Sequence, residues 1–195
     1  MHCLEKYALA CNAFIKKPPL EHNFFPLPFS RYITLDLGSE FNHRQYPFFQ
    51  DVVNDILPVL QKNDIHIIQL GDPKDEAISG VYYLNNKIHL SHSTYLLRRS
   101  LLHVSSQSFS GNIANCLGTK QVLLYEKKEM PLCAPMWDTA TIDYILHSGA
   151  KRPSLGAPTK EISVSKVFPE KISKKILKNL GLSEDSINTE TLYIG

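Results

Sequence analysis

The chain has 195 residues, 43% of them hydrophobic, and a formal charge of +2, enough for one sizeable core or one domain plus appendages. So small a charge argues against nucleic acid or an anionic membrane surface as partner, and no apolar run approaches the roughly 18–20 residues that span a bilayer. The opening Met1-His-Cys-Leu-Glu-Lys-Tyr-Ala-Leu-Ala10 places Glu5 and Lys6 inside its apolar stretch, so it does not read as a secretory signal. Cys3, Cys11, Cys116 and Cys133 are scattered, with no CxxC spacing. Together these features describe a reduced, soluble, cytoplasmic protein. Cys116, on the apolar side of a predicted helix, reads as a small buried thiol.

Residues 1–30 combine a short helical pattern (Leu4, Tyr7, Ala8, Cys11) with a proline- and aromatic-rich arm. Prolines exclude a regular helix or central strand there. The arm, residues 18–29, therefore reads as an extended segment packed on the main domain, or on an oligomeric or second-domain partner. The first core strand is Tyr32–Leu37, closed by Gly38-Ser39. A helix is predicted from Tyr46 to Lys62, with Pro47 in its first turn and Pro58 kinking or ending it early. The apolar run Ile65–Leu70 is a second strand, stopped by Gly71-Asp72. Val81–Leu84 is a weak strand, and Ser93–Arg99 a short helix with a Ser or Thr cap. Leu101–Ser105 is a strand, followed by a helix capped by Ser108 and then the strand Gln121–Tyr125.

Beyond Tyr125 the pattern fades into a long loop over Lys127–Trp137 and a Gly/Pro/Ser/Lys-rich, mobile loop over 148–160. A last helix follows Phe168-Pro169, with the stripe Ile172, Ile176, Leu177 and Leu180 and a stop at Gly181. The terminal Thr191–Gly195 resembles a strand. Alternating strands and helices predict an α/β fold, a single Rossmann-like parallel sheet over 31–147 flanked by the arm (1–30) and by a loop, helix and tail (148–195).

Ligands of such sheets sit beyond the carboxyl ends of the strands. Here those ends are Gly38-Ser39, Gly71-Asp72, Ser105–Ser108 and Tyr125-Glu126. The helix capped by Ser108 opens with unpaired N–H groups that favour an anion, and Gly111 permits close approach. Ser106, Gln107, Ser108 and Asn112 then act as phosphate donors or as plain helix caps. Asp72 is either a ribose or base acceptor or a turn former. His43 and Arg44 reach a diphosphate or stay solvated. His89, His92 and His103 lack the companion ligands of a metal site, and His103 reads as a partly buried, hydrogen-bonded strand residue. Trp137, Met136 and Tyr125 either wall a base or sugar or pack the long loop.

The run Leu90–Ser108, with Asn112-Ile-Ala-Asn-Cys-Leu-Gly-Thr-Lys-Gln-Val-Leu-Leu-Tyr125, resembles the nucleotide-sugar-binding domain of heptosyltransferase-type GT-B glycosyltransferases. That family shows a short helix, an apolar strand, an Asp-Ser-Gly turn and a His-x-Ala helix; the similarity covers about residues 31–137. Gln107, Phe109 and Asn112 stand where the family has Asp, Gly and His. Gln and Asn keep hydrogen-bonding capacity but do not ionise. The resemblance implies binding of a nucleotide-diphospho-sugar at Gly38, Ser39, Arg44, Gly71, Asp72, Ser106, Gln107, Ser108, Gly111 and Asn112, without metal or further cofactor. The sugar would pass to an acceptor hydroxyl, a glycan among the candidates, through a base outside the chain. The rival readings are a catalytically silent binding or assembly module and a fragment of a two-domain transferase.

Overall fold

A computed structural model of the chain describes residues 1–38, 46–85, 87–137, 139–147 and 167–183. Helix α1 (Cys3–Ala10) leads through the irregular arm to strand β1 (Tyr32–Asp36). Then come α2 (Phe49–Lys62), β2 (His66–Leu70), β3 (Tyr82–Tyr83), α3 (Leu90–Arg99), β4 (His103–Ser106) and α4 (Phe109–Leu117). The chain continues with β5 (Gln121–Glu126), the single turn α5 (Met130–Cys133), β6 (Ile142–His147) and α6 (Pro169–Leu180).

All the strand pairings are parallel, and the sheet runs β3-β2-β1-β4-β5-β6. The order reverses between β1 and β4, which opens a crevice at their carboxyl ends. The expected α/β sheet is thus observed. One strand, β6, was not anticipated in the fading pattern after Tyr125. Its Ile142-Asp-Tyr-Ile-Leu sequence pairs along the whole length of β5, as β-branched and aromatic residues favour.

Helices α2 and α6 cover one face, where Phe49, Ile56, Leu60, Ile172, Ile176 and Leu177 meet the apolar side of β1, β4 and β5. Helix α2 begins at Phe49, so Pro47 lies before it, and it continues through Pro58 to Lys62. Pro58 and Asn54, whose carbonyl the proline leaves unpaired, are both exposed. Water can satisfy that carbonyl, and the buried stripe on the opposite side holds the helix together.

Helices α3 and α4 cover the other face, joined there by Leu20, Phe25, Leu27 and Phe29 of the arm. Phe29 stacks on His66 at 4.0 Å between ring centroids, and Asn23 N donates to Ser91 O at 3.1 Å. The arm is therefore packed on its own domain along this stretch. Helix α3 starts three residues before the predicted Ser93, because its cap is a ring: His89 Nδ1 accepts from Ser91 N at 3.3 Å. Cys116 is partly rather than fully buried, and all four cysteines are free thiols. The predicted mobile loop (148–160) and terminal strand (191–195) lie outside the described residues.

Candidate functional site

The β1 sequence Tyr-Ile-Thr-Leu-Asp alternates, sending Ile33 and Leu35 to the α2/α6 face and Thr34 and Asp36 to the α3/α4 face. In register, Thr34 lies beside His103 and Asp36 beside Ser105. All four are buried, so the centre of this face is a polar stripe beneath the first turn of α4. His103 Nδ1 lies 3.0 Å from Thr34 Oγ1, and His103 Nε2 lies 3.0 Å from Ser110 Oγ. Ser110 Oγ is in turn hydrogen-bonded to Asp36 Oδ2, and the other carboxylate oxygen accepts from Gly38 N at 2.9 Å. His103 is thus completely buried, more so than its sequence context indicates.

Burial dominates the electrostatics. It drives the Asp36 carboxyl up to about 6 against the hydrogen bonds from Ser110 and Gly38, with the Asp75 charge adding to the rise. It also drives the His103 ring down to about 3. Burial thus favours the uncharged form of each group, moving the acid up and the ring down.

Above the stripe lies a cavity of about 500 Å³ lined by Asp36 and Gly38 after β1, Gly71 and Asp72 after β2, and Ser108 and Ser110 at the start of α4. It occupies the β1/β4 switch point. Gly71 has a φ of +144°, and a Cβ there would collide with Asp75 Oδ2 and press Asp36 Oδ1 at 3.2 Å. Only glycine suits both the backbone and the space. Asp72 Oδ1 accepts from Lys74 N at 2.8 Å, so its side chain forms the turn while the residue still lines the cavity. No Lys or Arg is among the described residues lining it.

Gln107 and Asn112 line a second space, an apolar groove of about 920 Å³ between α4 and the α1–arm segment. Ser108 and Phe109 border both, and Phe109 is 68% exposed at the divide. The predicted site residues therefore fall on two adjoining surfaces rather than one. Ser108 Oγ caps α4 by accepting from Gly111 N at 3.2 Å, and Asn112 Nδ2 donates back to Ser108 O at 3.3 Å. Gly111 faces inward, where a Cβ would touch Leu123 and Ser105 at 3.4 Å, so its smallness serves packing on the sheet. Ser106 Oγ and Gln107 Oε1 are buried without a hydrogen-bond partner. Ser39, His43 and Arg44 lie outside the described residues. Trp137 lines the apolar groove, and its backbone N donates to Asn115 Oδ1 at 2.8 Å.

Asp36, Ser110 and Thr34 were not singled out from sequence. For Thr34 and Asp36 the signal is a hydroxyl and a carboxylate two residues apart inside an otherwise apolar strand. Among the described residues, no group of three or more His, Cys, Asp or Glu is arranged to hold a metal, and no helix is long and apolar enough to cross a membrane.

No protein-family model and no curated protein sequence matches the chain. Solved structures do. The E. coli ADP-heptose lipopolysaccharide heptosyltransferase II aligns with a TM-score of 0.59 at 15% identity, covering 79% of this chain and 47% of that one. The E. coli heptosyltransferase WaaC with ADP gives 0.60 at 13%, covering 90% and 54%. A family 9 glycosyltransferase from Veillonella parvula gives 0.56 at 16%, covering 80% and 47%. The chain has the fold of one GT-B half of the heptosyltransferase type. It spans about half the length of these neighbours.

Proposed function

We propose that this chain is the nucleotide-diphospho-sugar-binding half of a heptosyltransferase-type glycosyltransferase acting in the cytoplasm. The observation that carries the reading is the cavity at the β1/β4 switch point, walled by Gly38, Gly71, Asp72 and the opening turn of α4. Ligands of doubly wound sheets occupy that place, and a helix start offers N–H groups and a favourable potential to a diphosphate. Two structural neighbours support it: one is an ADP-heptose transferase and another was solved with ADP. Gln107 Oε1, buried without a partner in the adjoining groove, is a ready acceptor for a sugar hydroxyl. The diphosphate sits over Ser108 with the sugar directed past Phe109, and the acceptor hydroxyl and its base belong to the facing half. In the assembled enzyme the helix start stabilises the leaving diphosphate electrostatically.

Calorimetric titration with a panel of nucleoside diphosphates and their sugars tests this. One member of the panel should bind in the micromolar range, and Ser108→Ala should weaken it about tenfold, a loss of about 1.4 kcal/mol. The proposal fails if none binds tighter than about 1 mM, equivalent to about −4 kcal/mol.

A further inference from the structure

The hydroxyls beneath α4 carry fewer protons than their contacts require. Ser100 Oγ donates to Leu102 O at 2.7 Å, which uses its proton. Thr34 Oγ1 donates to Ser100 Oγ at 3.1 Å, which uses the next. The 3.0 Å contact between Thr34 Oγ1 and His103 Nδ1 must therefore be filled by the ring, with Nδ1–H donating. In a neutral imidazole Nε2 is then an acceptor, and Ser110 supplies its proton across the 3.0 Å contact. Ser110 Oγ also contacts Asp36 Oδ2 and, at 2.9 Å, Ser108 Oγ. One hydroxyl proton cannot fill three contacts. Ser108 can fill one when Ser105 Oγ supplies the proton of the 3.3 Å contact between Ser105 and Ser108, and the remaining proton has to come from the Asp36 carboxyl or from a doubly protonated His103.

We propose that in mildly acid solution Asp36 and His103 hold a single proton between them through Ser110, so that the cavity floor is electrically neutral there despite its carboxylate. Asp36 is thus a positioning residue: it accepts from Gly38 N and anchors the first turn of α4 without setting a like charge against a bound anion. That consequence for the ligand rests on the nucleotide-site reading; the proton itself does not. The ionisable groups nearest Asp36 are His103 across Ser110, and Asp72 and Asp75 of the turn after β2. No Lys or Arg among the described residues lines the cavity to neutralise it instead.

The shared proton predicts an unusual pH behaviour. In the unfolded chain the proton belongs to imidazole, since the free values are 6.5 for His and 3.8 for Asp. In the folded chain the order inverts, to about 3 for His103 and about 6 for Asp36. Between about pH 4 and 6 both states then bind one proton at this pair, and the pair leaves stability level. Asp36→Asn retains a donor to Ser110 and removes the compensation. His103 alone then charges in the unfolded chain first, so stability falls as pH drops from 6.5 toward about 3. In His103→Gln the raised Asp36 value acts alone, and stability falls as pH rises from 3.8 through about 6.

Urea denaturation of the ligand-free full chain across this range, for the wild type, the two single variants and D36N/H103Q, reads these slopes. Opposite slopes in the singles and a return toward wild type in the double are expected. Two singles that both parallel the wild type would overturn the proposal. Nitrogen-15 spectra of the wild-type imidazole, read with the carbon-13 shift of the Asp36 carboxyl near pH 5, decide the matter even if a variant fails to fold. A neutral Nδ1–H ring with a protonated Asp36, or a doubly protonated ring with an ionised one, supports the shared proton. A neutral ring of either tautomer beside an ionised Asp36 refutes it. Because no nucleotide is present, failure here and failure of the titration remain separate results.

Discussion

The two faces of the sheet are built from the same strands and solve opposite problems. Under α2 and α6, β1 and β4 contribute Ile33, Leu35 and Val104 to a continuous apolar layer. Under α3 and α4, the alternate residues of those strands are Thr34, Asp36, His103 and Ser105, each buried and each polar. Apolar burial stabilises without regard to direction, whereas a buried polar group has to be matched partner by partner. The roles separate along β1 and β4: their α2/α6 side joins the apolar layer, and their α3/α4 side, framed by the apolar cluster of Ile68, Leu70, Leu96, Leu97 and Ile113, holds a particular arrangement of groups beneath the switch-point cavity.

Substitutions that act on one face and spare the other test this division. Leu60, completely buried in the α2/α6 layer, should give the largest effect. Leu60→Ala is expected to cost about 2–5 kcal/mol in urea denaturation, through lost burial and a residual cavity. The affinity of the folded protein for a nucleotide found to bind in the proposed titration should not change. A large change in affinity would show that the two faces are coupled and the division wrong.

Next comes Gly71, on the polar side. Its φ of +144° and the crowding by Asp75 and Asp36 make Gly71→Ala strained by about 1–3 kcal/mol. Unlike Leu60→Ala, it should also displace Asp72 and weaken nucleotide binding, measured by the same calorimetry. Unchanged affinity in a folded, destabilised variant would mean that the turn after β2 does not shape the site.

The apolar face was the legible one. Helical spacing in Phe49, Val52, Val53, Ile56 and Leu60 and the alternation in β1 are consequences of burial, which a sequence records directly. The early end allowed at Pro58 does not occur, because the helix side on which the missing bond falls is exposed to water. On the polar face, the strand ends at Gly38 and Gly71 and the cap at Ser108 were visible, since each rests on local backbone geometry. The His89 cap was not, because histidine lies outside the usual capping set. The link from Asp36 through Ser110 to His103 joins residues 74 and 7 positions apart. It exists only once β1 and β4 are neighbours, so no local pattern announces it.

The smallest expected effect belongs to the rim of the apolar face, where charge is placed with far less at stake. Lys175 on α6 forms an ion pair with Asp143 of β6 and donates to Tyr144 O at 3.0 Å, while Asn179 Nδ2 donates to the second Asp143 oxygen at 3.0 Å. Burial works to raise the Asp143 value, but the hydrogen bonds from Lys175 and Asn179 and the lysine charge outweigh it and leave it below 3.8. A depressed carboxylate contributes stability that is fully present above the unfolded value and lost as pH falls through the folded one. Both side chains keep partial solvent access, so Lys175→Met should cost only about 0.2–1 kcal/mol near neutral pH. The difference from wild type should shrink below pH 3.8 and also at high salt, where exposed charges are screened. Urea midpoints at neutral and acidic pH, with and without salt, would measure it. Salt should narrow this gap and leave the D36N and H103Q slopes largely intact, because His103 is completely buried and Asp36 nearly so, where screening is much weaker than at the surface. Equal salt sensitivity at both sites would show the polar stripe to be hydrated, and the contrast between a rim charge and a buried, proton-sharing pair would collapse.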